Sequence, residues 1–86
     1  MFYFGINIAK RNHEAKVINT LGKALADSIF FSNSKEGCEK LERLFEKFKI
    51  ITSDIVIGME ATGHYWLPVY EHLSELEYIV KVINPI

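Results

Sequence analysis

The last third of the chain constrains the fold most, because an apolar strand, an amphipathic helix and a second apolar strand follow one another there. The first strand is predicted over residues 54–60, the helix over 65–75 and the second strand over 78–83. Two strands joined by a helix pair in parallel through a right-handed crossover. The first of them is apolar on both faces, which is typical of a strand in the interior of a sheet.

Three further strands are predicted before this unit, over residues 2–8, 15–20 and 24–32. The first is rich in β-branched and aromatic side chains, the second alternates, and short polar segments such as "KRNHE" connect the three. Connections of this length favour an antiparallel meander.

A first helix follows the meander. Asn33 has the position of an N-cap and Glu36 the spacing of a capping box. Apolar residues then recur three and four positions apart, as one helix face requires. They are Cys38, Leu41, Leu44, Phe45 and Phe48.

The predicted element order is therefore βββαβαβ. Placing the first strand beside the fourth covers the most apolar surface. This arrangement is an α/β fold with a mixed sheet of order 3-2-1-4-5, as in ribonuclease H-like proteins, in a single domain over residues 1–86.

The composition excludes several classes of protein. Ten Lys and Arg against eleven Asp and Glu give a net charge of −1, which excludes binding of nucleic acid by a strongly basic overall field but not by a local patch. Cys38 is the single cysteine, which excludes an internal disulfide and fits a buried thiol in a reducing compartment. The sequence shows neither an apolar run of about 20 residues nor a signal-peptide pattern, so we expect a soluble, cytoplasmic protein.

The candidate site lies where two predicted strands each carry a glycine and, two residues later, a polar side chain. These pairs are Gly5 with Asn7 and Gly58 with Glu60. If the two strands pair in parallel, Asn7 and Glu60 meet at the carboxyl ends, where ligands of open α/β sheets bind. Their oxygens suit Mg²⁺, an ion used in phosphoryl transfer. Alternatively, Glu60 is a solvated carboxylate and Asn7 is hydrogen-bonded to a loop.

Four segments resemble the N-terminal domain of DEDD transposases, which are bacterial insertion-sequence enzymes related to the pilin-gene inverting recombinases. The segments are "YFGINIAKRNHEAKVIN", "NSKEGCEKL", "VIGMEATGHYWLPVYEHL" and "VKVINP". The resemblance implies a RuvC-like, ribonuclease H-type fold in which four acidic residues bind divalent metal. It also implies a separate C-terminal domain that supplies a serine nucleophile, and in some members a structured guide RNA.

By position, the resemblance assigns the second acidic residue of the family to Glu60, as a catalytic and metal-binding residue. The first acidic position falls on Asn7, where the family motif reads Gly-Ile-Asp and this chain reads Gly-Ile-Asn. The chain ends at Ile86, before the positions of the other two acidic residues. We therefore expect an N-terminal transposase fragment for DNA transposition or recombination, in which Mg²⁺ binds weakly or not at all and which is inactive alone.

Five residues are candidates for contact with nucleic acid. Lys10, Arg11 and His13 are predicted on the turn that leaves the first strand, and His64 and Tyr65 follow Glu60 in the family signature. The predicted partners are DNA and, as in some family members, a structured guide RNA. The alternative is that the first three are ordinary turn residues.

Two other functions compete with the transposase interpretation. One is a non-catalytic module, derived from a transposase, that binds nucleic acid or a protein partner. The other is the lobe of an actin-like sugar kinase, which needs a phosphate-binding turn that "AKRNH" does not provide. Whatever the function, the last strand is apolar on both faces and nothing after it covers the second face. It therefore predicts a homodimer or higher assembly through that strand or the uncovered side.

Overall fold

The computed structural model describes residues 1–24, 27–60 and 63–83. A single turn of 3₁₀-helix, Thr52–Asp54, precedes the fourth strand. The strands and helices are, in chain order, β1 (Phe2–Asn7), β2 (Asn12–Asn19), β3 (Ile29–Ser32), α1 (Lys35–Lys47), β4 (Ile55–Glu60), α2 (Leu67–Glu75) and β5 (Ile79–Ile83).

The five strands form one mixed sheet in the order β3-β2-β1-β4-β5. Strands β1, β2 and β3 pair antiparallel in sequence, whereas β4 pairs in parallel with both β1 and β5. The predicted meander, the βαβ unit and the sheet order are all confirmed. Because β1 and β4 run in the same direction, the loops that follow them leave the sheet at the same end.

One face of the sheet carries the hydrophobic core and both helices. Period two along β1 turns Phe4 and Ile6 toward this face, where both are buried. The ring of Phe4 meets the ring of Phe45 on α1 edge to face, with centroids 5.0 Å apart. On α2, Val69 and Leu73 are completely buried. The core therefore lies between the sheet and the apolar stripes of the two helices.

The opposite face of the sheet is not covered by any helix in the described part of the chain. We call it the open face. The registers place four large exposed side chains on it, from three different strands. They are Tyr3, Phe30, Ile79 and Ile83, each more than half exposed.

Several predicted boundaries are wrong. Strand β2 begins at Asn12 instead of residue 15, so the turn after β1 is limited to residues 8–11. Strand β3 begins only at Ile29, and Ala24 makes no more than an isolated bridge to Ile18. Helix α2 begins at Leu67, two residues later than predicted, with Pro68 in its first turn, where proline is tolerated. The predictions for residues 25–26, 61–62 and 84–86 fall outside the described residues.

The predicted capping box of α1 is also wrong. The N-cap is Ser34, whose Oγ accepts a hydrogen bond from the backbone N–H of Gly37 at 3.1 Å. Asn33 instead directs its side chain toward the turn between β1 and β2, where its Nδ2 lies 3.5 Å from the carbonyl oxygen of Lys10. A serine and an asparagine are both good caps, and tertiary contacts decide between them here.

No helix among the described residues is both long enough and apolar enough to cross a membrane.

Candidate metal and nucleic-acid site

The structure brings Asn7 and Glu60 together. They are the last residues of β1 and β4 and are register partners in the parallel pair. Both side chains are exposed, and both lie on the open face, because the buried Ile6 and Met59 before them point to the core. The backbone N–H of Ile8 donates to the carbonyl oxygen of Glu60 at 3.1 Å, which continues the pairing one residue further. An amide and a carboxylate therefore stand side by side at the carboxyl end of the parallel pair.

A groove runs along the open face toward these two residues. Its floor contains Gly5 and Gly58, which are also register partners, and an added Cβ at either position would have no atom within 4 Å. The groove has a volume of about 440 Å³ and includes Asn7 and Glu60 in its lining. The absence of side chains at the two glycines leaves this space beside the polar pair.

Two charged residues that line this groove were missed by the sequence analysis. Glu14 on β2 is the register partner of Asn7, and Lys16 is the register partner of Gly5. Both line the groove. The alternation of β2 would have revealed them, since Ala15 and Val17 point into the core and their neighbours must point outward. The prediction missed Glu14 because it began the strand one residue after it.

Four of the five predicted nucleic-acid contact residues are accessible at the same end of the sheet. Lys10 and Arg11 are exposed in the turn that follows β1. His64 and Tyr65 are exposed in the turn that leads into α2, after β4. Since β1 and β4 are parallel, both turns lie at the end of the sheet that carries Asn7 and Glu60.

His13 is the exception, and its predicted placement is wrong. It lies on β2 and not on the turn, and its side chain is completely buried on the core side of the sheet. Its ring packs edge to face against Phe31, with centroids 5.0 Å apart. A side chain without accessible surface does not contact nucleic acid, so His13 is not part of the contact surface in this fold.

Two of the described side chains could act as ligands of a metal ion. Glu60 and Asn7 offer two oxygen ligands of the kind that Mg²⁺ prefers. Within residues 1–24, 27–60 and 63–83, no three His, Cys, Asp or Glu side chains converge in a way that could hold a metal ion. A carboxylate and an amide fit Mg²⁺ chemically, but they leave most of its coordination to water or to other groups.

Cys38 takes no part in this site. Its side chain is almost completely buried on α1. Burial, and secondarily the negative charge of Glu42, raise the pKa of its thiol. A thiol that stays protonated behaves as a small hydrophobic side chain, as the sequence predicted.

Solved structures with the same sheet define the class of fold. RuvC of Thermus thermophilus in complex with Holliday junction substrate matches with a TM-score of 0.65 and 14% identity, over 99% of this chain and 65% of RuvC. The fowlpox virus Holliday junction resolvase matches with a TM-score of 0.60 and 15% identity, over 99% of this chain and 62% of that one. The chain has the ribonuclease H-like fold in its RuvC-like form. It spans less than two thirds of the length of each resolvase.

The same fold occurs in proteins of other activity. ROK hexokinase from Thermus thermophilus matches with a TM-score of 0.60 and 16% identity, over 98% of this chain and 35% of the kinase. A likeness at this identity reports a shared fold and does not distinguish a resolvase from a kinase. No curated protein matches the chain.

The sequence, unlike the fold, shows the family. The family model of DEDD transposases of the IS110 type, described as "Transposase", matches residues 4–86. Nearly the whole chain is covered, and the chain therefore belongs to this transposase family. The resemblance stated from the four sequence segments is confirmed.

Proposed function

We propose that this chain is the N-terminal, metal-facing part of a DEDD transposase that acts in DNA transposition or recombination. The observation that carries the proposal is the register pairing of Asn7 with Glu60 at the carboxyl end of two parallel strands. Membership of the transposase family supports the same assignment. In this proposal Glu60 is a catalytic metal ligand, and Asn7 occupies the position of a second one.

We propose Mg²⁺ as the ion that this edge of the sheet would hold, through the Glu60 carboxylate and the amide oxygen of Asn7. When bound, such an ion stabilises the negative charge that develops on oxygen during phosphoryl transfer. Glu60 contributes one negative charge and Asn7 contributes a dipole only. One carboxylate holds Mg²⁺ weakly, because this ion gives up its water reluctantly. The 86-residue chain is accordingly proposed to be inactive in isolation.

The substitution Asn7→Asp tests this proposal. It places a second carboxylate beside Glu60 without changing the size of the side chain. We expect Mg²⁺ to bind at least about tenfold more tightly, since each added charge attracts the ion directly. Without metal, the adjacent carboxylates should repel each other and lower the free energy of unfolding. The measurement is an NMR titration with Mg²⁺ that follows the backbone amides of residues 7 and 60.

Two matched variants make the result specific. Glu60→Gln should abolish the Mg²⁺-dependent shifts at the sheet edge, and the double variant Asn7→Asp with Glu60→Gln should restore binding only to the level of the unmodified chain. If Asn7→Asp gave no gain in affinity, or if Glu60→Gln bound Mg²⁺ as well as the parent, the metal-facing role of this edge would be wrong.

The second candidate function is a non-catalytic module that binds DNA or a structured RNA. It is favoured by the absence of a carboxylate at residue 7 and by the four exposed residues Lys10, Arg11, His64 and Tyr65 at the same end of the sheet. Binding through phosphates weakens steeply as salt is added, because counterions are released. A fluorescent four-way DNA junction should therefore bind at low salt and lose affinity on Lys10→Ala and Arg11→Ala substitution. Binding that does not depend on salt would exclude this function.

We also propose that the chain self-associates through its open face or through the edge of β5. The support is the exposure of Ile79 and Ile83, which project from β5 on the open face.

A further inference from the structure

The buried ring of His13 has one defined hydrogen bond, and that bond fixes its protonation. The backbone N–H of Ala9 donates to Nδ1 of His13 at 3.0 Å. A ring nitrogen that accepts a hydrogen bond carries no proton, so the proton of neutral His13 must be on Nε2. Ala9 lies in the turn between β1 and β2, next to Lys10 and Arg11. Through Nδ1, the buried histidine therefore holds the start of this turn.

Asn33 holds the same turn from the other side. Its backbone N–H donates to the carbonyl oxygen of Arg11 at 2.8 Å, and its Nδ2 lies 3.5 Å from the carbonyl oxygen of Lys10. Asn33 follows β3 directly, and β3 pairs with β2. The backbone carbonyl groups of Lys10 and Arg11 thus both accept hydrogen bonds from Asn33.

Two buried polar atoms of His13 and Asn33 are left without a partner in the described structure, namely Nε2 of His13 and Oδ1 of Asn33. They are complementary, since Nε2 carries a proton and Oδ1 accepts one. Buried polar atoms are rarely left unpaired, because each one loses its hydration. The Asn33 side chain is also close enough to the ring to raise the pKa of His13, against the larger lowering caused by burial.

We propose that His13 and Asn33 are positioning residues that act as one unit: Nε2–H of neutral His13 donates to Oδ1 of Asn33, and together they fix the turn at residues 8–11. The turn then presents Lys10 and Arg11 beside the edge formed by Asn7 and Glu60. This inference rests on the proposed role of Lys10 and Arg11 in contact with nucleic acid. His13 acts entirely through the turn and touches no ligand itself.

The first test is made on the unmodified chain and needs no variant to fold. The ¹⁵N chemical shifts of the His13 ring distinguish the two neutral tautomers from the charged form. We expect an unprotonated Nδ1 and a protonated Nε2 at neutral pH, with the Nε2 proton protected from exchange with water. A protonated Nδ1, or a charged ring at neutral pH, would overturn the proposal.

The second test separates the two ends of the ring. His13→Asn retains an acceptor near the position of Nδ1, whereas His13→Gln retains a donor near Nε2 and loses that acceptor. We expect hydrogen exchange at the Ala9 amide to be about tenfold faster or more in His13→Gln than in His13→Asn, as the loss of one buried hydrogen bond implies. Val17→Ala is the matched control, because Val17 is buried on the same face of the same strand. It should accelerate exchange across β1 and β2 together and not at Ala9 selectively.

Coupling between the two residues is tested with Asn33→Ala and the double variant His13→Asn with Asn33→Ala. If they act as one unit, the effect of the double variant on Arg11 mobility and on junction affinity should be smaller than the product of the single effects. Effects that simply multiply would show two independent contacts and would overturn the proposal.

The DNA measurement separates this proposal from the function on which it rests. One outcome is that the His13 tautomer and the hydrogen exchange of the Ala9 amide are as expected, while Lys10→Ala and Arg11→Ala leave the affinity for the four-way junction unchanged. In that case His13 and Asn33 fix the turn, but the turn does not bind nucleic acid. A different outcome is that Lys10→Ala and Arg11→Ala lose affinity for the junction, while His13→Gln and Val17→Ala, compared at matched stability, lose affinity to the same extent. In that case the basic residues bind nucleic acid, but His13 does not position them.

Discussion

His13 is a residue whose burial has a measurable consequence. Its side chain has no accessible surface, and burial lowers its pKa below the ordinary value of 6.5, with the nearby Asn33 side chain opposing part of that shift. A buried imidazole without a negative partner is stable only in its neutral form. Protonation also removes the acceptor for the Ala9 N–H, since both ring nitrogens of the charged form are donors.

The stability of the chain should therefore decrease in mild acid because of His13. The unfolded chain takes up a proton near the ordinary pKa of histidine, while the folded chain does so only at lower pH. The contribution of His13 is fully present above the unfolded pKa and is lost as the pH falls toward the folded pKa. Urea unfolding between about pH 8 and pH 5 measures it.

The control for this prediction is His13→Asn, which cannot titrate in this range. Carboxylates and the other two histidines titrate in both proteins, so the difference between the two pH profiles isolates His13. We expect the unmodified chain to lose more stability than the variant on acidification. Parallel profiles would show that His13 has the same pKa in the folded and unfolded chain.

At the residue scale, the sequence predicted the placement of Asn7 beside Glu60 correctly but not the placement of His13 or Glu14, for a physical reason. The first pair ends strands whose apolar runs are unambiguous, so period two assigns their faces. His13 and Glu14 lie in "KRNHE", whose polar composition resembles a turn, although the strand has already begun at Asn12. Because successive residues of a strand point to opposite faces, a predicted start at residue 15 missed both the burial of His13 and the position of the Glu14 carboxylate on the open face.

At the scale of elements, the contact between α1 and the end of β3 depends on a glycine. Gly37, in the first turn of α1, is buried, and a Cβ at this position would overlap the backbone of Ser32. Backbone atoms cannot move aside as a flexible side chain can. The helix therefore approaches β3 closely only because residue 37 has no side chain.

We expect Gly37→Ala to lower the free energy of unfolding by about 1 kcal/mol in net terms, because overlap with packed atoms typically costs about 1–3 kcal/mol. Intrinsic helix propensity acts in the opposite direction and favours alanine by about 1 kcal/mol. The sign of the change thus shows which effect is larger. Urea denaturation of the variant and of the unmodified chain gives this value.

Gly58→Ala is the matched control, since an added Cβ there has no atom within 4 Å. Its stability should stay within about 0.5 kcal/mol of the parent or increase slightly, as alanine is less costly to order than glycine. A stable Gly37→Ala variant would mean that α1 can shift away from β3 without loss.

The boundaries of elements were less predictable from the sequence than their order. Helix α1 was expected to begin with Asn33 as its cap, and Ser34 caps it instead. Asn33 bonds to the turn between β1 and β2, a segment more than 20 residues earlier in the chain. Local spacing alone does not contain such a contact. The periodicity of α1 and the alternation of the strands are local, and they gave the element order and the sheet order correctly.

At the scale of the whole molecule, the sheet is covered on one side only. The helices pack on the face that holds Phe4, Ile57 and Met59, whereas the open face carries Tyr3, Phe30, Ile79 and Ile83. It also carries charges of both signs, with Glu14 and Glu60 in one cross-strand row and Lys16 and Lys81 in the next. A second copy in antiparallel orientation would place the acidic row of one open face near the basic row of the other. This face is thus both apolar and self-complementary in charge.

We therefore expect the 86-residue chain to associate with itself as its concentration rises, since a mixed apolar surface of this kind is typical of protein interfaces. Ile79→Lys should shift the equilibrium toward the monomer, because it places a charge at the β5 end of the cross-strand row that Ile79 shares with Tyr3 and Val56. Ile51→Lys is the matched control: Ile51 is 63% exposed, more than the 53% of Ile79, but it precedes the 3₁₀ turn and lies outside the sheet. Sedimentation velocity over a range of concentrations should show a loss of dimer for Ile79→Lys and none for Ile51→Lys. A chain that stays monomeric at the highest concentration, or equal effects of the two substitutions, would show that the open face does not bind a second copy.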